Sequence, residues 1–370
     1  MPVQTEVAAQ PVSLWRNHSY ILLWSGQAVS TLGSQVSQFA FPLLVLYLTK
    51  SPVQAGLAAA TRVLPYFIFS LPAGALLDRW DRKRVMIICD AGRALSLASI
   101  PLAFVLNHLT LIQLYLVSLT EGTLFVFFNI AQVACLPHIV PRQQITRANA
   151  QNLTMTQLLL LVGPSLGGIL YSLGRLLPFL ADAVSYTVSV FSLMLIRTPF
   201  QKERAGTKRH LWMEIKEGLL WLWRHPHLRF LALLTGGGNF VTAGFTLIAI
   251  VMGQNLHASP FSIGLAFTIG GIGGIAGALV APWVQKKYRS GWIIIAITWL
   301  GALLWLLFAS APNLIVLGII LAANLILSPI FDVIVLSYRM VIIPDELQGR
   351  TNSVFRLLVF GAQPLGLSFT

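Results

Sequence analysis

The chain has 370 residues, 56% of them hydrophobic and 10% charged, with a mean hydropathy of +0.76. A water-soluble domain carries about 25% charged residues, so a soluble enzyme is excluded. The two cysteines, Cys89 and Cys135, both lie in apolar segments and exclude a secreted disulfide scaffold. Twelve acidic against 25 basic residues leave a net charge of +13, whose meaning depends on where the bases sit.

Residues 1–19 lack the basic-then-apolar pattern of a signal peptide and read as an uncleaved tail. Apolar stretches long enough to cross about 30 Å of hydrocarbon follow at 20–47, 53–77, 85–106, 110–135, 149–173, 176–196, 230–254, 260–284, 291–309 and 313–337. An eleventh begins near 351 and runs to Thr370. The runs are continuous, which predicts helices and not the alternating strands of a barrel. The fold class expected is an all-α polytopic membrane protein.

With the tail in the cytoplasm, the even-numbered loops are cytoplasmic, and 20 of the 25 bases fall on that side. Arg79, Arg82, Lys83 and Arg84 form one cluster, and eight more lie in the central segment. This is the positive-inside bias. The excess charge is therefore topological, no nucleic-acid partner is expected, and the expected location is a cytoplasmic (inner or plasma) membrane. Residues 1–197 form a tail and six spans, 198–229 a cytoplasmic linker, and 230–370 four spans with an incomplete fifth. Within the linker, 210–224 alternates apolar and charged residues as an interfacial amphipathic helix would. His225 and His227 are too few for a metal site. No metal, cofactor or catalytic residue is expected, and the absence of a Gly-x-x-x-x-Gly-Lys-[Ser/Thr] loop disfavours a nucleotide-driven pump.

The two groups of spans are copies of each other. Gly74-Ala-Leu-Leu-Asp-Arg-Trp-Asp-Arg-Lys-Arg84 aligns with Gly277-Ala-Leu-Val-Ala-Pro-Trp-Val-Gln-Lys-Lys287 at an offset of 203. Phe128-Asn129 meets Phe331-Asp332, and Arg147-x-Asn149 meets Arg350-x-Asn352, at the same offset. Upstream, Ser51-Pro-x-x-x-Gly-Leu57 recurs as Ser259-Pro-x-x-x-Gly-Leu265 at an offset of 208. Parallel repeats of this kind are a building rule of transporters. The repeat calls for twelve spans, so the sequence is expected to be truncated within the eleventh.

The loop Gly74-x-Leu76-x-Asp78-Arg79-x-x-Arg82-Lys83 resembles the signature loop of the major facilitator superfamily, with Asp81 in place of its usual glycine. Leu23-Trp-Ser-Gly-Gln27, Asp78-Arg-Trp-Asp-Arg-Lys83 and Pro137-His-Ile-Val-Pro-Arg142 are similar to the macrolide-efflux and enterobactin-exporter branch. The resemblance implies two six-helix halves and a gating role for Gly74, Asp78, Arg79, Arg82 and Lys83, an ion-pair set that holds one conformation and releases the other. Positive-inside topology is the alternative account of the same bases. The second copy has Ala281 opposite Asp78, so such a latch is asymmetric. Gly163-Pro164-Ser-Leu-Gly167-Gly168 resembles the fifth-helix motif of exporters, and tight helix packing explains it equally.

Polar stripes locate water or partner helices inside a membrane. Gln27, Ser30, Thr31, Ser34, Gln35 and Gln38 share one face of the first span. Thr235, Asn239, Thr242 and Thr246 do so in the seventh, and Asn324, Ser328 and Asp332 in the tenth. In the resembled family the first, fourth, seventh and tenth spans line the central cavity; interhelical hydrogen bonding is the alternative. On the fourth span Glu121, Phe125, Phe128 and Gln132 follow one face. Glu121 and Arg62 both lie about 15 Å deep, near the midplane, where an unpartnered charge costs about 2.5–3.5 kcal/mol. Burial disfavours a charged carboxylate and a nearby cation favours it, so a Glu121–Arg62 pair is either a proton- or cation-responsive switch or a static tie between helices. Asp182, nearer the outside, is a substitute candidate, and Asp90 and Arg93 are expected to pair locally on the third span.

These features imply a secondary transporter, driven by protons, that moves amphipathic small molecules (cationic ones among them) by alternating access as a monomer in the lipid bilayer; that it exports them is what the resemblance implies. A non-transporting membrane sensor or scaffold, or an inactive truncated transporter, is the alternative.

Overall fold

The computed structural model describes residues 14–77, 79–200, 219–343 and 348–368. Its long helices are α1 (His18–Thr49), α2 (Pro52–Leu77), α3 (Arg82–Val105), α4 (Leu111–Ile139), α5 (Ile145–Leu173) and α6 (Leu177–Leu195). After the linker come α7 (Pro226–Thr242), α8 (Phe245–Asn255), α9 (Pro260–Lys287), α10 (Ser290–Ala309), α11 (Leu314–Ile342) and α12 (Gln348–Ser368). No strand occurs among the described residues. Nine helical stretches among them are long and apolar enough to cross a membrane, α7 and α8 together making one, and α2 and α12 pack alongside these.

The helix starts are written in local chemistry. Asn17, Thr110 and Asn313 each accept the amide of the residue three further on, at 3.1, 3.2 and 2.9 Å, which satisfies an N–H that the first turn leaves free. The repeated Ser-Pro pair is the same device twice. Ser51 accepts from the Gln54 amide at 3.4 Å and Ser259 from the Ser262 amide at 3.2 Å, while Pro52 and Pro260 open α2 and α9, where a missing N–H costs nothing. Asp81, which replaces the glycine of the signature loop, caps α3 through the Arg84 amide at 3.0 Å.

The packing obeys the sequence repeat. α2 lies along α4 as α9 lies along α11; α1 packs on α5 as α7 packs on α12; α3 meets α4 as α10 meets α11. The contacts that join the two groups also come as an equivalent pair, α5 with α9 and α2 with α12. On α9 the run of glycines is a packing surface: a Cβ on Gly273 or Gly277 would strike the α11 backbone at Ala322 or Ile326. Large side chains such as Leu95, Ile112, Leu173, Trp292 and Trp299 remain exposed on the outer faces, as a hydrocarbon solvent permits.

The copies differ in two places. In the first, the chain turns at 79–81 between α2 and α3. In the second, α9 runs on without a break to Lys287, with Ala281 buried inside it. The seventh span is not one rod but α7 and α8, separated at Ala243–Gly244, where glycine lowers helix propensity. Residues 201–218 and Asp78 lie outside the described residues, and with them most of the expected amphipathic linker helix and the acid of the signature loop.

Candidate substrate cavity and its buried ionic network

A cavity of about 500 Å³ lies among the helices of the first group. All six members of the α1 stripe line it: Gln27, Ser30, Thr31, Ser34, Gln35 and Gln38. From α4 come Phe125, Phe128, Asn129 and Gln132, and from α2 Arg62, Val63 and Tyr66. A second space of about 210 Å³ shares Gln27, Asn129, Gln132, Asn152 and Thr156 with it and continues past Tyr20 and Leu136. The cavity therefore extends toward the end of the bundle where α1 begins and α4 ends.

At the opposite end the two groups of helices close on each other. A Cβ on Gly168 of α5 would come within 2.9 Å of Phe261 Cα, and one on Gly264 of α9 within 3.1 Å of Ser165 Cα. Such backbone approach requires glycine on both sides. The Ser165 and Thr268 hydroxyls bond across the seam at 2.5 Å, and Thr268 reaches the Leu161 carbonyl at 2.9 Å. The other glycines of the motif, Gly163 and Gly167, face Gln35, Val36 and Phe39 of α1, and Pro164 presents its carbonyl to Gly264. Of the two readings of this motif, close packing is directly visible, and it lies at the seam between the halves.

Behind the cavity wall sits an ionic network. Arg93, at the middle of α3, is 4% exposed. Its Nε is 3.4 Å from Glu121 Oε2 and its Nη1 3.7 Å from Asp90 Oδ1. The guanidinium lies over the Tyr186 ring at 4.1 Å from the centroid, a favourable placement for a cation on a π face. The Tyr186 hydroxyl stands 3.5 Å from Glu121 Oε2 and 2.7 Å from Ser34 Oγ. Asp182 is fully buried on α6, accepting from Ser37 and, at 3.1 Å, from Ser185. Gly33 of α1 faces Asp182 Oδ1 and Ser185, and the missing side chain is what lets α6 approach. Three carboxyls and one guanidinium thus tie together α3, α4 and α6, with α1 joined through Ser34 and Ser37.

The expected Glu121–Arg62 pair is replaced by Glu121–Arg93. α3 begins at Arg82, earlier than the apolar stretch alone indicates, which puts Arg93 at midspan. The local Asp90–Arg93 pair is present as well. Arg62 lines the cavity and has no carboxylate within ion-pair distance among the described residues.

In the signature loop, Arg79 is exposed, while Arg82 and Lys83 grip helix ends. Arg82 donates to the Ala134 carbonyl at 2.8 Å. Lys83 donates to the Met194 and Ile196 carbonyls at 3.3 and 2.6 Å, at the C-terminus of α6, where free carbonyls favour a cation. No Cβ on Gly74 would meet a neighbour within 4 Å.

The sequence profile described as Major Facilitator Superfamily matches residues 23–367. The chain belongs to this superfamily. It is 26% identical over 351 residues to the multidrug efflux pump Tap of Mycolicibacterium fortuitum, covering 90% of this chain and 84% of that one. It is 28% identical over 229 residues to macrolide efflux protein A of Streptococcus pyogenes (60% and 55%), and 23% identical over 346 residues to the enterobactin exporter EntS of Citrobacter koseri (93% and 82%). Among solved structures, a bacterial homologue of the iron transporter ferroportin superposes with a TM-score of 0.73 in its inward-facing state, at 18% identity, covering 97% of this chain and 92% of that one. The outward-facing form of the ferroportin homologue gives 0.61, covering 94% and 90%.

Within this major facilitator fold, four further candidates lie away from the cavity wall. Asn239 of α7 donates to the Val359 carbonyl at 3.1 Å and holds α12. Thr242 is exposed and bonds back to the Gly238 carbonyl at 2.8 Å. Asn324 and Ser328 of α11 do not line the cavity, and from the second group of helices Gln363 alone, among the described residues, does. Of the α7 stripe, Asn239 alone bonds to another helix; Thr235 and Thr242 bond back to carbonyls of α7 itself. Arg93 as the centre of the network is what sequence reasoning missed. Its signal was an arginine and an aspartate on one face of an apolar helix, at a depth matching Glu121.

Proposed function

We propose that the chain is a proton-coupled secondary exporter of amphipathic small molecules, drugs or siderophores, and not an enzyme. Its relatives' names and the cavity support this reading. In it, residues 1–197 and 230–370 are the two halves, the N-terminus is cytoplasmic, and the protein acts as a monomer. The α1 end of the bundle is then the cytoplasmic side, and the cavity opens inward; the better superposition on an inward-facing neighbour supports that assignment.

The observation that carries the coupling is the buried network itself. One guanidinium balances one carboxylate, so Asp90, Glu121 and Asp182 around Arg93 hold a place for exchangeable protons. Arg93 also reaches the cavity wall. A proton on Glu121 removes the charge opposite the Arg93 Nε and loosens the tie between α3 and α4. Its departure restores the tie. Because α1 and α6 join the same network through Ser34 and Tyr186, proton occupancy biases how these helices pack, and a two-state bundle converts that bias into opening at one end or the other. In the same scheme the loop from Gly74 through Asp78, Arg79, Arg82 and Lys83 steadies the inner ends of the helices while the halves rock.

Everted membrane vesicles with an imposed pH gradient test the proposal. Uptake of a fluorescent drug should follow the gradient, collapse when the gradient is dissipated, and be lost in Glu121→Gln. Undiminished gradient-driven uptake by a well-expressed Glu121→Gln would sink the assignment of Glu121.

A further inference from the structure

We infer that the cavity selects organic anions: compounds with an apolar or aromatic body carrying a carboxylate, sulfonate or phenolate, which docks on Arg62. The assignment rests on the cavity being the transport site and names its substrate class.

The charges on the cavity wall are of one sign. Among the described residues that line it, the charged ones are Arg62 and Arg93. Each acid described nearby is turned away. Glu121 immediately precedes the cavity-lining Gly122, yet its carboxylate points to Arg93 and Tyr186. Asp90 is fully buried on α3 beside the same arginine, and Asp182 is buried on α6 against Ser37 of α1. Among the described residues a cationic substrate would therefore meet two guanidiniums and no carboxylate.

The two arginines are not equivalent. Arg93 has its counter-ions in Glu121 and Asp90 and its face covered by Tyr186. Arg62 has none among the described residues. It sits eleven positions into the 26-residue α2, at a depth where an unpartnered cation is costly, and it faces the cavity. A guanidinium there is a docking point for a planar anion, which it can grip with two parallel hydrogen bonds. Its surroundings fit the rest of such a molecule. Phe125, Phe128 and Tyr66 offer ring faces and edges for an aromatic body, and the side-chain amides of Gln35, Gln38 and Gln132 can donate to its remaining oxygens. A volume of about 500 Å³ is within the usual range for a drug-sized ligand. The expectation from sequence, that one acid beside aromatic rings favours cations, fails because that acid belongs to the network and not to the wall.

Two dyes sharing a fused three-ring body but opposite in charge separate the possibilities: fluorescein, anionic at mildly alkaline pH, and rhodamine 6G, cationic. Binding to the full chain in lipid nanodiscs is followed by fluorescence anisotropy. Fluorescein should bind more tightly than rhodamine 6G. Arg62→Gln should weaken fluorescein binding about tenfold, the loss of one charge-assisted contact, without weakening rhodamine 6G. Arg62→Lys keeps the charge and should retain most of the affinity, and the wild-type ranking of the two dyes decides the matter even if Arg62→Gln fails to fold. Rhodamine 6G binding as tightly as fluorescein, no fluorescein binding, or fluorescein binding unchanged in Arg62→Gln overturns the inference. Reconstitution into liposomes then separates it from the exporter reading. Fluorescein bound at Arg62 but not carried across refutes transport and supports the charge assignment; rhodamine 6G carried without fluorescein binding refutes the charge assignment and supports transport.

Discussion

Replacing Arg93 by methionine removes the one cation from a cluster of three buried carboxyls. At the separations of 3.4 Å to Glu121 and 3.7 Å to Asp90, and with an effective dielectric constant of about 20, each attraction amounts to roughly 4.5–5 kcal/mol. Much of that offsets the desolvation of the same groups. Breaking a buried pair by deleting one partner is nonetheless costly, about 3–5 kcal/mol, because the remaining charge is stranded. The Tyr186 ring also loses the cation above it, and a carboxylate can only repel the ring's face. Since Cys89 and Cys135 are buried and free, a maleimide dye that fluoresces on reaction reports their exposure as the protein unfolds in detergent. Arg93→Met should lower the midpoint by on the order of 5–10 °C, taking about 2 °C per kcal/mol for a chain of this size. Adding Glu121→Gln should recover part of the loss, because the stranded charge facing the missing guanidinium is then gone; the double-mutant cycle reads the coupling. A midpoint within about 1 °C of wild type for Arg93→Met, or a double variant no more stable than the single, would refute the network as a cooperative unit.

Three further substitutions test separate parts of the structure. Tyr186→Phe keeps the ring over Arg93 but removes the hydroxyl between Ser34 and Glu121; it should cost about 1 kcal/mol in the same assay and weaken gradient-driven uptake. A loss equal to that of Arg93→Met would mean that the hydroxyl and not the guanidinium organises the site. Gly168→Leu places a side chain where Pro260 and Phe261 of α9 already lie, so the far end of the seam cannot close and transport should be abolished; normal uptake would show that this approach is dispensable. Lys83→Ala deletes the contacts to the Met194 and Ile196 carbonyls and should destabilise by about 1 kcal/mol, with Lys83→Arg largely restoring the loss in thermal unfolding.

The spans, the repeat and the α1 stripe were legible because each is a periodic property of the chain. An apolar run of sufficient length must be a helix in hydrocarbon, and offsets of three and four must share a face. The repeat even anticipated packing, since equivalent motifs returned as equivalent helix pairs. The ionic partners were harder for a physical reason. Sequence gives the depth of a buried charge along its helix, but the azimuth of one helix relative to another is set by side-chain packing across the bundle. Glu121 and Arg62 share a depth, yet the close approach of Gly122 to the Arg62 carbonyl brings α2 and α4 together backbone to backbone, while the Glu121 side chain turns to α3. Asp90 gave Arg93 a local partner and so hid its long-range one.

That rotation has a chemical consequence. With Asp90 and Glu121 turned to Arg93 and Asp182 to Ser37 and Ser185, the charge on the cavity wall is positive, so the same glycine contact that seats α2 against α4 also separates the two jobs a charged transporter cavity must do. The carboxyls that could exchange protons stand behind the wall, reached through Arg93; the group that could hold a substrate, Arg62, stands on it. In the proposed scheme proton and substrate do not compete for one carboxylate, and their coupling runs through Arg93, which belongs to both the network and the wall. Loss of Arg62 should accordingly impair binding while leaving the thermal stability carried by the network intact, and loss of Arg93 should impair both.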